Sequence, residues 1–397
     1  MTLRTIEDLG DLSGKRVLVR VDFNVPLEDG RIADDFRIRA SLPTLNELLD
    51  AGASLVLASH LGRPKGQVVE DLRMEPVAAA LADLLRPGYT VSRPQGMPPT
   101  TEQTKPTAAD NKNVTLLENL RFHPGEEAND PAFADALASL ADVFVDDAFG
   151  AAHRAHASVV GVAERLPSAA GRLLQREVEV LSRLRDDPER PYVAILGGAK
   201  ISDKLGVLES LVEKVDALLV GGAMAFTLLA AQGGEVGDSL VEPDRFDDVR
   251  RALAKADERA VPVLLPEDVV AASEIDVNAR KQTVPADAIP RGLKGLDIGP
   301  RTVEEFARTV ADAKTILWNG PMGVFELEPF AAGTLGVARA VAGANAFSVV
   351  GGGDSLLALR RAGLEDAIDH LSTGGGASLE FIEGRELPGV KVLQKEP

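Results

Sequence analysis

Short runs of β-branched and other apolar residues alternate with longer amphipathic stretches, and this alternation restricts the fold more than any other feature. We predict strands over Val17–Val21, Ser54–Ala58, Val114–Leu117, Val143–Val145, Val193–Leu196, Leu218–Val220, Val261–Leu265, Ile316–Trp318 and Phe347–Val350. The helical periodicity between them predicts helices over Ser41–Leu49, Val77–Leu85, Phe133–Leu140, Ile201–Val212 and Val303–Val310. Strands that are apolar on both faces and separated by helices are typical of parallel sheets covered on both sides. In 397 residues, this pattern favours an α/β protein with two such sheets.

We predict the junction between two lobes at Leu166–Pro191, where polar flanks with prolines surround a charged helical stretch, Arg172–Arg185. This places an N-terminal lobe at 1–171, a hinge helix at 172–186 and a C-terminal lobe at 187–379. A further segment, Ser92–Lys112, is polar with almost no large apolar residues, which predicts an exposed, mobile loop.

The composition of the chain excludes several classes of function. The chain has no cysteine, which excludes disulfides, thiolate nucleophiles and cysteine-ligated metals. Its net charge of -18 opposes binding to nucleic acid or to anionic membranes.

The uncharged run Ala217–Ala231 is shorter than the ~20 residues of a spanning helix, and Gly221-Gly222 divides it into a strand and a helix that starts near Met224. Met1–Gly10 lacks the apolar core of a signal peptide, so we expect a cytoplasmic protein.

Glycine turns follow several of the predicted strands in the second half of the chain. In open parallel sheets, ligands bind beyond the carboxyl ends of the strands, where glycine lets a phosphate approach the backbone. Four such turns therefore favour a nucleotide cleft over plain loops, although neither the Rossmann nor the Walker pattern is present. The turns are Gly197-Gly198, Gly221-Gly222, Gly351–Gly353 and Gly374–Gly376.

Lys200 and Lys204 lie four residues apart at the start of a predicted helix. Like charges at this spacing repel, and positive charge at a helix N-terminus opposes the helix dipole. An anionic ligand removes both objections, so we favour a binding role over a solvated surface pair.

The first half of the chain carries basic and polar residues beyond its predicted strands. Such residues gather in one crevice of a parallel sheet and suit a small, multiply charged anion. Taken singly, each arginine also fits a surface ion pair. His153 and His156 lack a further ligand, so zinc is not predicted. The residues are Asp22, Asn24, His60, Arg63, Arg121, His123, His153 and Arg154.

Two acidic residues of the second half have two interpretations each. Asp354 follows Gly351–Gly353 and is either a helix N-cap or a magnesium ligand beside a nucleotide phosphate. Glu326 is either a solvated turn residue or a partner for a sugar diol.

The chain closely resembles the phosphoglycerate kinase family, and its motifs follow the family's order over essentially the whole chain. The family has two lobes, which implies the same α/β architecture here, each lobe a parallel sheet covered by helices and the two joined by a helical hinge that closes. The motifs are Arg-Val-Asp-Phe-Asn-Val-Pro (20–26), Ser-His-Leu-Gly-Arg-Pro (59–64), Leu-Glu-Asn-Leu-Arg-Phe-His (117–123), Ala-His-Arg-Ala-His (152–156), Leu-Gly-Gly-Ala-Lys-Ile-Ser-Asp-Lys (196–204), Trp-Asn-Gly-Pro-Met-Gly-Val-Phe-Glu (318–326), Gly-Gly-Gly-Asp-Ser (351–355) and Ser-Thr-Gly-Gly-Gly-Ala-Ser (372–378).

The resemblance implies a monomeric kinase of glycolysis and gluconeogenesis that transfers a phosphoryl group reversibly between ATP and the carboxylate of 3-phosphoglycerate, with Mg²⁺ bound beside ATP or ADP. Arg37 and Lys204 are the implied catalytic residues, and Asp354 is the implied metal ligand. A tail over about 380–397 is expected to pack on the first lobe. The implied phosphoglycerate-binding residues are Asp22, Asn24, Arg37, His60, Arg63, Arg121 and Arg154. The implied nucleotide-binding residues are Lys200, Lys204, Gly295, Glu326, Gly352, Gly353, Asp354 and Ser355.

Two positions depart from the family pattern. Ser355 stands where many members have threonine, and Thr90–Asn113 does not follow the usual sequence. Two other classes of function also remain. A nicotinamide-dependent dehydrogenase explains the parallel sheets but not the missing glycine fingerprint. An anion-binding protein without catalysis explains the basic crevice but not Lys200 and Lys204 beside glycine turns.

Overall fold

A computed structural model describes residues 2–94, 96 and 112–395, so most of the loop predicted over Ser92–Lys112 lies outside the described residues. The chain forms two compact units. The first contains the residues up to Glu179 and those from Glu386 onward, and the second is Val180–Arg385. The division falls inside one helix, Arg172–Asp186.

The first unit is built on a six-stranded parallel sheet in the order β3-β4-β2-β1-β5-β6. Its central strand is buried because apolar residues face both sides, as the sequence predicted. Arg20 at the end of β1 lies opposite Ala58 and Asp146, so three strands end at the same level. The strands are β1 Arg16–Arg20, β2 Ser54–Ala58, β3 Thr90–Ser92, β4 Asn113–Leu116, β5 Val143–Asp146 and β6 Ser168–Ala170.

Helices cover this sheet. In α1, Ile38, Leu45 and Leu48 are fully buried at helical spacing against the strands. The helices of this unit are α1 Phe36–Asp50, α2 Glu75–Leu84, α3 Pro131–Ala138 and the first part of α4 Arg172–Asp186, with the short turns Ile6–Leu9, Glu70–Leu72, Leu120–Phe122, Phe149–Ala151 and Ala157–Gly161 and the small hairpin Leu27–Glu28 and Arg31–Ile32.

The second unit has its own six-stranded parallel sheet, in the order β9-β8-β7-β10-β11-β12. Asn319 at the end of β10 lies opposite Leu196 and Gly351, so these strands also end together. The elements are β7 Tyr192–Leu196, α5 Leu205–Leu211, β8 Ala217–Val220, α6 Met224–Ala231, α7 Phe246–Glu258, β9 Val263–Leu264, α8 Pro300–Ala311, β10 Thr315–Asn319, α9 Ala332–Gly343, β11 Phe347–Gly351, α10 Gly353–Ala362, β12 His370–Ser372 and α11 Gly376–Ile382.

A second, antiparallel sheet of three strands in this unit was not predicted. Its middle strand, Asp268–Ala272, pairs with Gln282–Pro285 and with Lys294–Ile298. Gln282–Pro285 is mostly exposed, so it lacks the apolar run on which the strand predictions were based. The parallel pair Glu235–Val236 and Ala288–Ile289 was also missed.

Two predicted helix starts were wrong by four residues or more. The helix predicted over Ser41–Leu49 begins five residues earlier, at Phe36. The pattern placed a helix over Ile201–Val212, but α5 begins at Leu205. Ile201 is buried in a preceding turn, where its carbonyl accepts a hydrogen bond from the backbone of Lys204 at 2.9 Å. A single buried isoleucine in that turn therefore extended the helical pattern by four residues.

The C-terminal tail packs within the first unit. The backbone N–H of Arg4 donates to Leu393 at 2.8 Å, and that of Gly389 donates to Ala152 at 2.9 Å. A short helix, α12 Pro388–Lys391, lies in this tail. In neither unit does a described helix combine the length and the apolar character needed to cross a membrane.

Asp147, directly after β5, fixes the position of α1. Its Oδ1 accepts hydrogen bonds from the Thr44 hydroxyl of α1 and from the backbone of Leu173 in α4, both at 2.9 Å. The carboxyl is fully buried, and its Oδ2 has no hydrogen-bond partner among the described residues. Burial, which these hydrogen bonds only partly offset, raises the pKa of Asp147 to about 7.

This raised pKa predicts a pH-dependent stability. Between the ordinary pKa of 3.8 and about 7, the folded state binds more protons at Asp147 than the unfolded state does, so this contribution falls as the pH rises. Asp147→Asn cannot titrate. We expect its melting temperature, relative to the unaltered protein, to rise between pH 5 and pH 8 by at least about 3 °C, a shift that corresponds to ~1 kcal/mol in a domain of this size. Calorimetric scans at several pH values measure this difference, and parallel curves for the two proteins would contradict the assignment.

Candidate functional site

The first-unit residues predicted to bind an anion follow β1, β2, β4 and β5 along the chain, except Arg37, which lies in α1. Asp22 follows β1 and is almost buried, and its Oδ2 accepts from Arg37 Nη1 at 2.6 Å. Arg37 lies in the first turn of α1 and is partly exposed. The ion pair holds this guanidinium in place while leaving part of it accessible to a ligand.

Gly62 connects two more of these residues. Its N–H donates to Asn24 Oδ1 at 2.9 Å, and its carbonyl accepts from Arg121 Nη1 at 2.9 Å. Gly62 has a φ of 63°, and a Cβ there would lie 2.8 Å from the Leu72 side chain. Glycine adopts this left-handed conformation without strain, and the turn brings the loops after β1, β2 and β4 together.

The side chain of His60, which follows β2, is buried. Its Nδ1 lies 3.1 Å from Nη2 of Arg20, a fully buried arginine that we did not predict as a site residue. Burial first, and then the neighbouring cations Arg20, Arg121 and Arg37, lower the pKa of His60 well below 6.5. His60 is therefore neutral at physiological pH. The sequence signal for Arg20 is an arginine inside an otherwise apolar run, Arg-Val-Leu-Val-Arg-Val.

Arg63 and Arg154 are both exposed. Within the described part of the chain, neither side chain makes a hydrogen bond or an ion pair, unlike Arg37 and Arg121. Two guanidinium groups without a carboxylate partner in a protein of net charge -18 are available to an anion.

The second unit contains a cavity of about 340 Å³ beyond the ends of β7, β8 and β10. Its wall is mostly apolar and includes Leu240 and Ile275, which are among the large exposed apolar side chains of the described residues. Three predicted nucleotide-binding residues line the cavity, namely Gly295, Glu326 and Asp354.

Lys204 lies directly before α5, in the N-cap position. Its Nζ donates to three oxygens: the carbonyls of Gly197 at 2.6 Å and Asn319 at 2.9 Å, and Asn319 Oδ1 at 2.6 Å. Burial lowers the pKa of this ammonium to about 8, against the opposing effect of Asp354 and Asp203. Lys204 thus holds a cationic donor at the level where the strands end.

Two of the glycine turns are in contact. Gly222 has a φ of 66°, and a Cβ there would lie 2.6 Å from backbone atoms of Gly198. A Cβ at Gly197 would lie 2.1 Å from the carbonyl of Pro321. These glycines therefore serve close packing of three loops at the edge of the cavity.

The turn after β11 carries four of the predicted residues. Gly352 is the N-cap of α10, so Asp354 is the second helical residue and its N-cap interpretation is wrong. Gly353 and Asp354 are exposed, whereas Ser355 is buried and its hydroxyl accepts from the N–H of Gly320 at 2.7 Å. Lys200 is exposed in the turn before Lys204 but is not among the residues that line the cavity.

Asp354 fits a magnesium ion that takes most of its ligands from a bound nucleotide and from water. The carboxylate is exposed and makes no hydrogen bond or ion pair to any described residue. The described residues contain no group of three His, Cys, Asp or Glu side chains that could hold a metal by themselves. One free carboxylate is what Mg²⁺ uses when nucleotide phosphates and water supply its other ligands.

Comparisons with known proteins identify the family of the chain. Residues 6–385 match the protein family described as phosphoglycerate kinase. Phosphoglycerate kinases of Rubrobacter xylanophilus and Thermus thermophilus are 57% and 56% identical to the chain, over 99% of it and over 98% and 100% of their own lengths.

Solved structures give the same result. The phosphoglycerate kinase of Coxiella burnetii superposes with a TM-score of 0.85 at 41% identity, covering 98% of both chains. That of Pyrococcus horikoshii superposes with a TM-score of 0.85 at 33% identity, covering 99% of this chain and 98% of its own. The predicted α/β fold with two helix-covered parallel sheets is confirmed. Because the match spans nearly the whole sequence at more than half identity, the chain belongs to the phosphoglycerate kinase family.

Proposed function

We propose that the first unit binds 3-phosphoglycerate, that the second binds ATP or ADP with Mg²⁺, and that these residues carry out the reversible phosphoryl transfer of the family. The kinase activity and its place in glycolysis follow from family membership. The assignment of each substrate to one unit rests on one observation. In the first unit, the loops after the parallel strands carry Arg63 and Arg154, which have no partner among the described residues, together with Arg121, whereas the mostly apolar cavity lies beyond the strand ends of the second unit. Family membership replaces the two alternative functions, a nicotinamide-dependent dehydrogenase and an anion-binding protein without catalysis.

In the first unit, Arg63 and Arg154 supply charge for the phosphate group, because their guanidinium groups are exposed and have no carboxylate partner among the described residues. Asp22 and Asn24 offer oxygens to the hydroxyl of the substrate. Arg37 is the candidate for the carboxylate that accepts the phosphoryl group, since Asp22 orients its guanidinium by the 2.6 Å ion pair. Arg121 and His60 add further donors.

In the second unit, the apolar wall with Leu240 and Ile275 suits the nucleotide base, and exposed Glu326 suits the ribose diol. Gly352 and Gly353 leave the N-terminus of α10 open to phosphate oxygens. Lys200 and Lys204 supply positive charge near the phosphates. Asp354 would hold magnesium, which neutralises phosphate charge when it is bound.

The proposed chemistry needs no general base. The acceptor is a carboxylate, which is already ionised well above a pKa of ~3.5. Catalysis then consists of alignment and of stabilising charge that moves between two anions, which donors such as Arg37 and Lys204 can do. The hinge closure implied by the resemblance, the monomeric state and the cytoplasmic location stay predictions.

Titration calorimetry with each substrate alone tests the assignment. Arg154→Ala should weaken 3-phosphoglycerate binding by about tenfold, the loss expected for one charged hydrogen bond, and leave ATP binding unchanged. The matched control is Arg39→Ala, because Arg39 is exposed and, among the described residues, forms its ion pair with Asp35, the residue directly before α1. Equal losses for both ligands would contradict the division between the units.

The substitution Asp354→Asn tests whether Asp354 binds magnesium or is only a residue of the first turn of α10. Because Gly352 is the N-cap, the substitution removes no cap and should leave the melting temperature without ligand within about 1–2 °C. The Mg²⁺ concentration for half-maximal rate should rise severalfold at fixed ATP, because one carboxylate ligand is lost. A Mg²⁺ titration of both proteins measures this, and an unchanged metal dependence would assign the whole magnesium site to phosphate and water.

A further inference from the structure

A chain of buried polar groups lies behind His60. Arg20, at the end of β1, has no exposed surface, and its Nη2 lies 3.1 Å from His60 Nδ1. On its other side, Arg20 Nε donates to the Ser158 hydroxyl at 2.8 Å. Ser158 donates through that hydroxyl to Glu126 Oε1 at 2.6 Å and through its backbone N–H to Oε2 at 3.1 Å. The four groups form one relay, Glu126–Ser158–Arg20–His60.

The chemistry of this relay determines which nitrogen of His60 carries the proton. A guanidinium stays protonated in proteins and has no acceptor atom. It can therefore only donate to His60 Nδ1, which must hold a lone pair. In a neutral imidazole the remaining proton is then on Nε2.

The surroundings favour the neutral ring. Arg20, Arg37, Arg121 and His156 all act on His60 from neighbouring elements, and together with burial they lower its pKa well below 6.5. Glu126 is the buried counter-charge for Arg20, which it reaches through Ser158, and it lies 3.8 Å from His156 Nδ1. Asp146, fully buried on β5 opposite Arg20, is a second carboxyl on which this cation acts, so Glu126 and Asp146 together offset the buried charge of Arg20.

We propose that Glu126, Ser158 and Arg20 lock His60 as the neutral tautomer protonated on Nε2, so that His60 offers 3-phosphoglycerate one N–H donor and no positive charge. Arg20 and Ser158 are therefore positioning residues that act through His60. This inference rests on the proposed function only for the identity of the ligand. The tautomer itself is a property of the free protein.

Nuclear magnetic resonance of the full-length protein with ¹⁵N-labelled histidine tests the tautomer directly. The chain has five histidines, and the His60 signals are identified as those absent from His60→Gln. We expect an unprotonated Nδ1 and a protonated Nε2 that stay unchanged from about pH 6 to pH 8, the range in which an ordinary histidine titrates. A proton on Nδ1, or a doubly protonated ring near pH 6, would overturn the proposal. Because this readout needs no substrate, it stands or falls separately from the proposed function.

Ser158→Ala tests the relay by function. Loss of the Nε acceptor should loosen Arg20, give His60 a mixture of tautomers, and raise KM for 3-phosphoglycerate by about 3- to 10-fold, while kcat and KM for ATP stay within about twofold. The matched control is Ser168→Ala, because Ser168 is also buried and its hydroxyl accepts from an arginine, Arg4, at 3.0 Å. An unchanged His60 spectrum and KM in Ser158→Ala, or the same effect in both variants, would refute the role of the relay.

Arg20 can be tested by a pair of variants. Arg20→Lys keeps a cationic donor for His60 and should retain the Nε2 proton, whereas Arg20→Met removes the donor and should lose the preference for this tautomer. If the methionine variant does not fold, Ser158→Ala supplies the decisive result. A methionine variant that folds and keeps a pure Nε2-protonated His60 would show that Arg20 does not set the tautomer.

Discussion

Lys204→Ala should lower kcat by about 100- to 1,000-fold, the loss that follows removal of one donor from a preorganised charge-stabilising site. The structure gives the reason. The ammonium lies within 2.6–2.9 Å of three oxygens at the ends of β7 and β10, in a position that burial partly desolvates. All three N–H groups of the ammonium donate to these oxygens, so we expect Lys204 to act through its positive charge, on charge that moves during transfer more than on charge present in the bound nucleotide. The dissociation constant for ATP should therefore change by no more than about fivefold.

Steady-state kinetics with both substrates and calorimetry with ATP alone measure these two quantities. Lys255→Ala is the control, because Lys255 is a partly exposed lysine of the same unit that pairs with Glu213 on the surface. Near-normal turnover of Lys204→Ala would remove Lys204 from catalysis. A loss of ATP binding as large as the loss of kcat would make it a binding residue.

Arg37→Ala should lower kcat by about 100-fold and also weaken 3-phosphoglycerate binding, because the substitution removes the donor assigned to the accepting carboxylate. It also leaves Asp22, which is almost buried, without its 2.6 Å partner, and the unpaired charge should reduce stability by about 1–3 kcal/mol. Loss of stability alone would not change kcat in the folded fraction.

The variant Arg39→Ala distinguishes loss of the Arg37 guanidinium from a general disturbance of α1. Arg39 lies two residues further along α1 and is more exposed. It forms a surface ion pair with Asp35, the residue directly before α1, and such a pair contributes little to stability. We expect its kcat and both KM values to stay within about twofold of the unaltered protein. A similar loss of kcat in both variants would assign the effect to α1 as a whole and contradict a specific role for Arg37.

Much of the fold could be predicted because strand burial leaves a direct signal in the sequence. Ser54–Ala58 was predicted with its observed bounds, and Val193–Leu196 differs from β7 by one residue. Thr90–Ser92 and His370–Ser372 were missed because they are edge strands of three residues, too short to show a period. The exposed strand Gln282–Pro285 belongs to an antiparallel sheet, for which an apolar run is the wrong signal.

The candidate site, like the fold, could be predicted only in part. Its chemistry-bearing residues could be chosen from their positions after strands, but their partners could not. The relay through Arg20 joins residues 138 positions apart, and no local pattern indicates that hydrogen bond. The hydrogen bond between Gly320 and Ser355 has no local signal either, and it involves the buried hydroxyl of a residue that was predicted to bind the nucleotide. Both hydrogen bonds depend on loops that meet only when the sheet has formed.

The proposed function requires that the donors around Arg37 and those around Lys204 serve one reaction between ATP and the carboxylate of 3-phosphoglycerate. The most direct test follows ADP formation with a coupled assay, with purified protein, Mg²⁺ and ATP, in the presence and absence of 3-phosphoglycerate. We predict ADP formation that requires 3-phosphoglycerate and falls by at least about 100-fold in both Lys204→Ala and Arg37→Ala. ADP formation that proceeds equally without 3-phosphoglycerate, or that survives both substitutions, would contradict the account.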